Sequence, residues 1–395
     1  MAHSFSLSRE ILLVDLHAAY LQARQHKRFR QYQLLFEANL QENLANLADE
    51  LFRRQYKPRP STCFIIEDPK KREVFAADFR DRIVHHLYFN YTHQIFERTF
   101  IADSYSCIKG RGTHFGIQRL QGHIRKASLN YSEKAYVLQM DIRGYFMNID
   151  RRLLLNICLA SLDKCHCREH IDMDFVRYLT QELVLLDPVK DCIIVGLPDQ
   201  WHSLPHDKSL FHSADGCGLP IGNLTSQLFS NIYLNVLDQF MKRQLLCRHY
   251  GRYVDDFFVV AADIVWLRGL IPQVRQFLSN ELGLSLHEGK TRISEVHRGL
   301  SFLGAYVKPW RCYVRNETLR RIQRKVANLD LYAAQNPDDD EMPLMLRDSL
   351  SSFGGVLSHF KTYTIRAKIW NSLQNVWSYG YFDPDQKKFI IFRKS

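Results

Sequence analysis

Arg252-Tyr253-Val254-Asp255-Asp256-Phe257-Phe258-Val259-Val260-Ala261-Ala262 is the stretch on which the reading of this chain turns. Two adjacent carboxylates lie between an extended run and an apolar one, a pattern that predicts a tight β-hairpin with both acids at its tip. Hard divalent cations take oxygen ligands and keep several waters, so neighbouring carboxylates at a strand end suit metal-bound phosphates. Adjacent aspartates are also ordinary turn formers, so Tyr253-Val254-Asp255-Asp256 does not settle the chemistry by itself.

A second acid lies upstream, in Ala135-Tyr136-Val137-Leu138-Gln139-Met140-Asp141. Tyr136, Leu138 and Met140 alternate with Val137, Gln139 and Asp141, which predicts a strand with Asp141 at its end. Two strands of one sheet, each ending in aspartate, could hold two metal ions about 4 Å apart, one at the attacking hydroxyl and one at the leaving phosphate. Such a site performs phosphoryl transfer and needs few other reactive side chains.

Five ordered stretches carry a resemblance. They are the segment from Asp141 through Phe146 to Asp150, then Gly218-Leu219-Pro220-Ile221-Gly222-Asn223-Leu224-Thr225-Ser226-Gln227, then the Tyr-Val-Asp-Asp hairpin, Glu288-Gly289-Lys290-Thr291, and Leu300-Ser301-Phe302-Leu303-Gly304. In order and spacing they resemble the motifs of reverse transcriptases over about residues 58–310. The string from Pro220 to Gln227, with Trp201-His202-Ser203-Leu204-Pro205-His206-Asp207-Lys208-Ser209-Leu210-Phe211 before it, is similar to the reverse transcriptases of diversity-generating retroelements.

The resemblance implies an α+β right-hand polymerase: N-terminal helices and fingers over 1–134, a palm of antiparallel sheet and packed helices over 135–310, and a helical thumb over 311–395. It implies two Mg2+ ions, with Mn2+ as a substitute, bound by Asp141 and Asp255, with the Ile142 carbonyl in one shell and Asp256 supporting the cluster. Lys290 would assist the departing pyrophosphate, a task for a positioned protonated amine. Arg72 and Arg80 would hold the incoming triphosphate through the rigid guanidinium fork. Phe146 matches the aromatic that crowds the ribose 2′ position and so selects deoxynucleotides by exclusion. Implied partners are a template RNA, the RNA–cDNA duplex, deoxynucleoside triphosphates and a basic oligomeric accessory protein.

Ile221, beside Gly222 in the nucleotide-binding turn, departs from most reverse transcriptases, which carry glutamine there. Isoleucine can neither donate nor accept a hydrogen bond. One positioning contact worth ~1.4 kcal/mol is tenfold in discrimination. The retroelement resemblance adds misincorporation opposite template adenines, and so an error-prone enzyme for mutagenic retrohoming. A phage-defence or retron-type reverse transcriptase would share every catalytic residue. A non-catalytic RNA-binding scaffold would have no need of both acids and a sugar gate, and Phe146 opposes an RNA polymerase.

Composition agrees with a nucleic-acid partner. The 395 residues carry a net charge of +11, and 46% are apolar, enough for two or three subdomains. Nine cysteines form no regular framework, and no apolar run suits a membrane span or a signal at Met1-Ala-His-Ser4, so a reducing cytoplasm is expected. Cys165-His166-Cys167 with His170 lacks the second ligand pair of a zinc site.

Along the chain, Leu40, Leu44, Leu47 and Leu51 predict one amphipathic helix over 33–54. Lys109-Gly110-Arg111-Gly112 has a composition that lets backbone approach a phosphate strand. Asp150 is expected to cap a helix carrying Leu153, Leu154 and Ile157. Residues 187–217 read as a long surface loop. After Gly222, Leu224, Leu228, Phe229, Ile232, Leu237 and Phe240 predict a buried helix that Ser226 and Gln227 would open. Leu319, Ile322, Val326 and Leu329 predict a helix whose other face carries Arg320, Arg321, Arg324 and Lys325, suited to tracking a duplex. An acidic break at 336–341 precedes a helical region over 344–374, interrupted at Gly354-Gly355.

Overall fold

A computed structural model describes residues 7–25, 30–68, 70–165 and 171–392. Helices α1 (Arg9–Ala23), α2 (Gln31–Glu37) and α3 (Leu40–Phe52) precede a hairpin, β1 (Ser61–Ile66) and β2 (Arg72–Ala76), which leads into α4 (Phe79–Glu97). Next come α5 (Thr113–Ala127), β3 (Tyr136–Asp141), α6 (Arg151–Asp163), α7 (Met173–Val184), β4 (Cys192–Ile194) and a single turn, α8 (Asp199–His202). The long α9 (Leu224–Gln239) is followed by β5 (Tyr250–Tyr253), β6 (Asp256–Ala261), α10 (Ile264–Leu282), β7 (Arg292–Glu295), β8 (Leu300–Phe302), β9 (Ala305–Lys308) and β10 (Arg311–Val314). The chain ends with α11 (Asn316–Gln335), α12 (Met342–Ser358), α13 (Tyr363–Asn371), β11 (Gly380–Phe382) and β12 (Phe389–Ile391). The class is α+β, as expected.

The chain divides into two compact units. The first comprises Met1–Gly112, Leu138–Val259 and Ile264–Arg292. It holds the ends of the sheet ordered β5-β6-β3-β7 that carry the acidic residues. Apolar side chains at helical spacing bury α4 through Ile83, Val84 and Leu87, and α9 through Leu228, Phe229, Ile232 and Leu237. Asp150 caps α6 as expected, accepting from the Arg152 and Leu153 N–H groups at 2.8 and 2.9 Å. Helix α9 opens at Leu224, the first apolar residue of the expected set, because Asn223 is the last residue with extended backbone, and Ser226 and Gln227 lie in its first turn.

Two expectations in this unit change. Residues 33–54 form two helices, because Asn39 leaves the helical region at φ −126°, while Leu44, Leu47 and Leu51 are buried as read. Residues 187–217 are not structureless: Cys192–Ile194 pairs parallel to β1 and extends the hairpin to a three-stranded sheet, β2-β1-β4. Buried Glu73 of β2 holds this segment, accepting from Trp201 Nε1 at 3.0 Å, Ser209 Oγ at 2.8 Å and the Leu210 N–H at 2.7 Å. Three donors on one buried carboxylate satisfy a group that would otherwise be costly to desolvate.

The second unit comprises Thr113–Val137, Val260–Asp263 and Ile293–Ser395. Ile322, Val326, Leu346, Leu350, Trp370 and Phe389 form its core, and Leu319 and Leu329 pack against it, so the stripe read on α11 is the buried one. The acidic break joins α11 to α12. Helix α12 runs straight through Gly354-Gly355, and the interruption comes after Ser358. Gly354 serves close approach instead, since a Cβ there would lie 2.4 Å from the Lys387 carbonyl oxygen. The segment expected to be purely helical also carries β10 and the hairpin of β11 and β12, where Trp370 stacks on Phe382 at 4.3 Å. Strands of three or four residues are too short to leave a readable period. Among the described residues, no helix is long and apolar enough to cross a membrane.

Candidate active site

The acidic hairpin forms as read. β5 and β6 pair antiparallel with Tyr253 opposite Asp256, leaving Val254 and Asp255 as the two turn residues. Val254 has φ +55°, a left-handed conformation that a β-branched residue rarely adopts. Its N–H donates to Ser106 Oγ at 3.2 Å, and its carbonyl accepts from Arg252 Nη1 at 3.0 Å. Arg252 is itself held by Asp238 at 2.7 Å, with neither side chain exposed, and Tyr250 donates to the same carboxylate at 2.6 Å. The turn is over-determined by a buried ionic network, the circumstance in which local strain persists.

Asp141 ends β3, and its carbonyl accepts from the His287 N–H at 2.8 Å. The neighbouring Ile142 side chain is buried, and its N–H donates to the Asp255 carbonyl at 3.3 Å, tying the strand end to the hairpin turn. Burial and then the charge of Asp141 push the Asp255 carboxyl up to about 6. Burial, then Asp255 and Asp141, push Asp256 up to about 7. Lys290 is on the other side of the balance: its Nζ donates to both Asp141 oxygens at 2.8 and 2.9 Å, and its charge favours ionised Asp255 and Asp256. Arg72 is exposed, and its charge also lowers the Asp255 value.

Among the described residues, no trio of His, Cys, Asp and Glu converges closely enough to enclose a metal ion. The donor set nonetheless fits one. Asp255 and Asp256, whose ionisation burial and the Asp141 charge oppose, are relieved by a hard cation, and a Mg2+-type ion needs only one or two protein oxygens beside waters and substrate phosphates.

Phe146 follows Asp141 on the short turn Tyr145–Met147 and packs with Ile221 against a small core of Cys63, Phe75, Met147 and Leu210. The Phe75 N–H donates to the Ile221 carbonyl at 2.9 Å. Gly222, at φ +128°, allows this stitch, because a Cβ there would lie 2.8 Å from the Phe75 carbonyl oxygen. Phe146, Ile221 and Gly222 are thus gathered beside β2, which also carries Arg72.

Other candidates are placed elsewhere. Arg80 is 5% exposed and stands over the Tyr56 ring, ion-paired with Glu50 and Asp81 and donating to the Lys57 carbonyl. It braces the N-terminal helices, and the structure does not bring it to the acidic cluster. Arg111 donates to the Ile101 and Ser104 carbonyls at 3.1 and 2.9 Å, so it shapes its own loop, while Lys109 is exposed. In the second unit, Arg320 and Arg324 are exposed on α11 and Arg321 and Lys325 are half-buried. His166, Cys167 and His170 of the zinc-like cluster, and the first six residues, lie outside the described residues. Sequence reasoning missed Glu73, Asp238 and Arg252. Asp238 carried a faint signal, as the only charged residue of α9.

Comparison with known proteins gives the family. Residues 68–307 match the family model described as reverse transcriptase (RNA-dependent DNA polymerase). The chain belongs to the reverse transcriptase family. This reverse transcriptase is 25% identical over 304 residues to Protein YkfC of Escherichia coli (strain K12), covering 68% of this chain and 72% of that protein. A looser likeness, with TM-score 0.46 and 11% identity, is to apo telomerase from Candida tropicalis truncated from its C-terminal domain; it covers 65% of this chain and 55% of the telomerase chain. The protein is an RNA-directed DNA polymerase, which binds a nucleic-acid template and deoxynucleoside triphosphates and uses divalent metal.

Proposed function

We propose that this reverse transcriptase copies its RNA with low fidelity, as the mutagenic enzyme of a diversity-generating retroelement that turns a template-repeat RNA into adenine-mutagenised cDNA. The observation that carries the reading is Ile221. Its carbonyl is fixed to β2 and its side chain packs with Phe146 and Phe75, so this position presents methyl groups where an amide would position a base pair. A turn that offers no hydrogen bond discriminates mainly by shape, and wrong pairs close to the right shape pass.

Asp141 and Asp255, with the Ile142 carbonyl and Asp256 behind them, would hold two Mg2+ ions in this reading. When bound, such ions would supply Lewis-acid activation of the primer hydroxyl and charge neutralisation at the leaving pyrophosphate. Lys290 holds Asp141 in place and supplies a positive charge near the phosphates. Arg72 steadies the triphosphate, and the Phe146 ring excludes a 2′-hydroxyl. Residues 1–134, 135–310 and 311–395 serve as fingers, palm and thumb, with Lys109, Arg320, Arg321, Arg324 and Lys325 along the nucleic acid. A basic oligomeric accessory protein and a structured RNA complete the cytoplasmic machinery.

The test is the error spectrum of Ile221→Gln beside the wild type, read by sequencing cDNA copied from one RNA. A fall in substitutions opposite adenine of about tenfold, the effect of one positioning contact, supports the reading. An unchanged spectrum from an accurate wild type would assign the enzyme to the defence or retron class.

A further inference from the structure

The outer face of the sheet β8-β9-β10, in the second unit, is unlike a solvated surface. Ala305, Val307 and Val314 point into the core, and period-two alternation puts Tyr306, Lys308, Arg311 and Tyr313 on the other side. Cross-strand register pairs Tyr306 with Tyr313 and Lys308 with Arg311. The second pair sets two cations directly opposite each other, an arrangement that destabilises an isolated hairpin. The turn between them is Pro309-Trp310, and Trp310 has φ +64° with 66% of its surface exposed. After proline, a turn residue with positive φ is ordinarily glycine or asparagine. A bulky indole there is strained, and here it is also left in water.

Tyr131 extends the surface. It too has positive φ, at +69°, and its ring lies 4.5 Å from that of Trp310. Lys308 Nζ stands 5.8 Å from the centre of the Tyr306 ring, and Arg311 Nη1 reaches the Tyr313 hydroxyl at 3.5 Å. The exposed rings of Trp310 and Tyr313 and the half-buried rings of Tyr131 and Tyr306 alternate with cations across one face. Like-charge pairing, backbone strain and exposed aromatic surface all weigh against the fold, and one ligand chemistry relieves two of them: unpaired bases stack on the rings while phosphates neutralise the cations.

We infer that this face, formed by Tyr131, Tyr306, Lys308, Trp310, Arg311 and Tyr313, is a binding platform for single-stranded nucleic acid. A duplex has no free base faces to offer, so the platform takes an unpaired stretch of template or product. The inference rests on the chain's being a nucleic-acid polymerase and is independent of its fidelity.

The test is fluorescence anisotropy with a labelled duplex, either blunt or carrying a single-stranded extension, RNA in one arm and DNA in the other. The quantity read is the ratio of the two affinities. The extension tightens wild-type binding at least about tenfold, and Trp310→Gly and Tyr313→Ala bring the ratio close to one, as loss of stacked bases requires. Trp310→Gly suits the left-handed turn, so its effect is not one of misfolding. Lys308→Ala removes a like-charge pair, so it raises thermal stability while flattening the salt dependence of the ratio. A wild-type ratio near one, or variants that keep the full ratio, as a protein-docking face would give, overturns the inference.

Discussion

Arg252 Nη1 donates to the carbonyl of Val254 at 3.0 Å, so a guanidinium with no exposed surface holds the backbone turn that presents Asp255. The hairpin's chemistry thus depends on an ion pair beneath it. Removing one partner leaves an uncompensated buried charge.

Asp238→Asn should therefore lower unfolding free energy by roughly 3–5 kcal/mol. Chemical denaturation would measure it. A change under ~1 kcal/mol, the scale of an exposed pair, would mean that the network is not the brace described.

The raised carboxyls predict a pH dependence. Asp255 and Asp256 titrate at about 6 and about 7 in the folded chain, against 3.8 ordinarily. The folded state binds more protons in that window, so their contribution to stability is full below about pH 4 and is lost as pH rises through the folded values. With a chelator present, melting temperature should fall across the window, and Asp256→Asn should flatten that fall. Added Mg2+ should stabilise more as pH rises, because it binds the ionised form. A chelated wild type that gains stability between about pH 5 and 7 would contradict the placement of these acids.

Gly222→Ala places a methyl 2.8 Å from the Phe75 carbonyl in a backbone region that alanine avoids. A cost of about 1–3 kcal/mol is expected, with displacement of Ile221 raising KM for the incoming nucleotide. Steady-state kinetics separate this from simple destabilisation, since unaltered KM in the folded fraction would detach the turn from nucleotide binding.

Phe146→Ala should admit ribonucleotides, lowering the ratio of kcat/KM for deoxynucleotide over ribonucleotide by about tenfold or more. Unchanged sugar selectivity would reduce Phe146 to a packing residue.

Much of this site was legible because its signals are local. Alternation ending at Asp141 and two acids between apolar runs are patterns that a strand and a tight hairpin impose on adjacent residues. Asp150 likewise announced its cap. The rest depends on partners far apart in the chain. Arg80 read, like Arg72, as a phosphate ligand, and its ion pair with distant Glu50 is what shows that one is buried and the other exposed. Glu73 follows Lys70, Lys71 and Arg72 in sequence, and nothing local shows that Trp201, Ser209 and Leu210 close on it. Gly354-Gly355 read as a break because an approaching backbone at Lys387 leaves no trace in the helix's own sequence.

Mutagenic copying by the Asp141–Asp255 centre is the proposal on which the functional reading rests. Its most direct test is deep sequencing of cDNA made by the purified protein on a defined RNA, with Mg2+ and four deoxynucleotides, beside Asp255→Asn. Substitutions concentrated opposite template adenines, with no product from the variant, are the result expected. Accurate cDNA, with errors spread evenly over the four template bases, would contradict it.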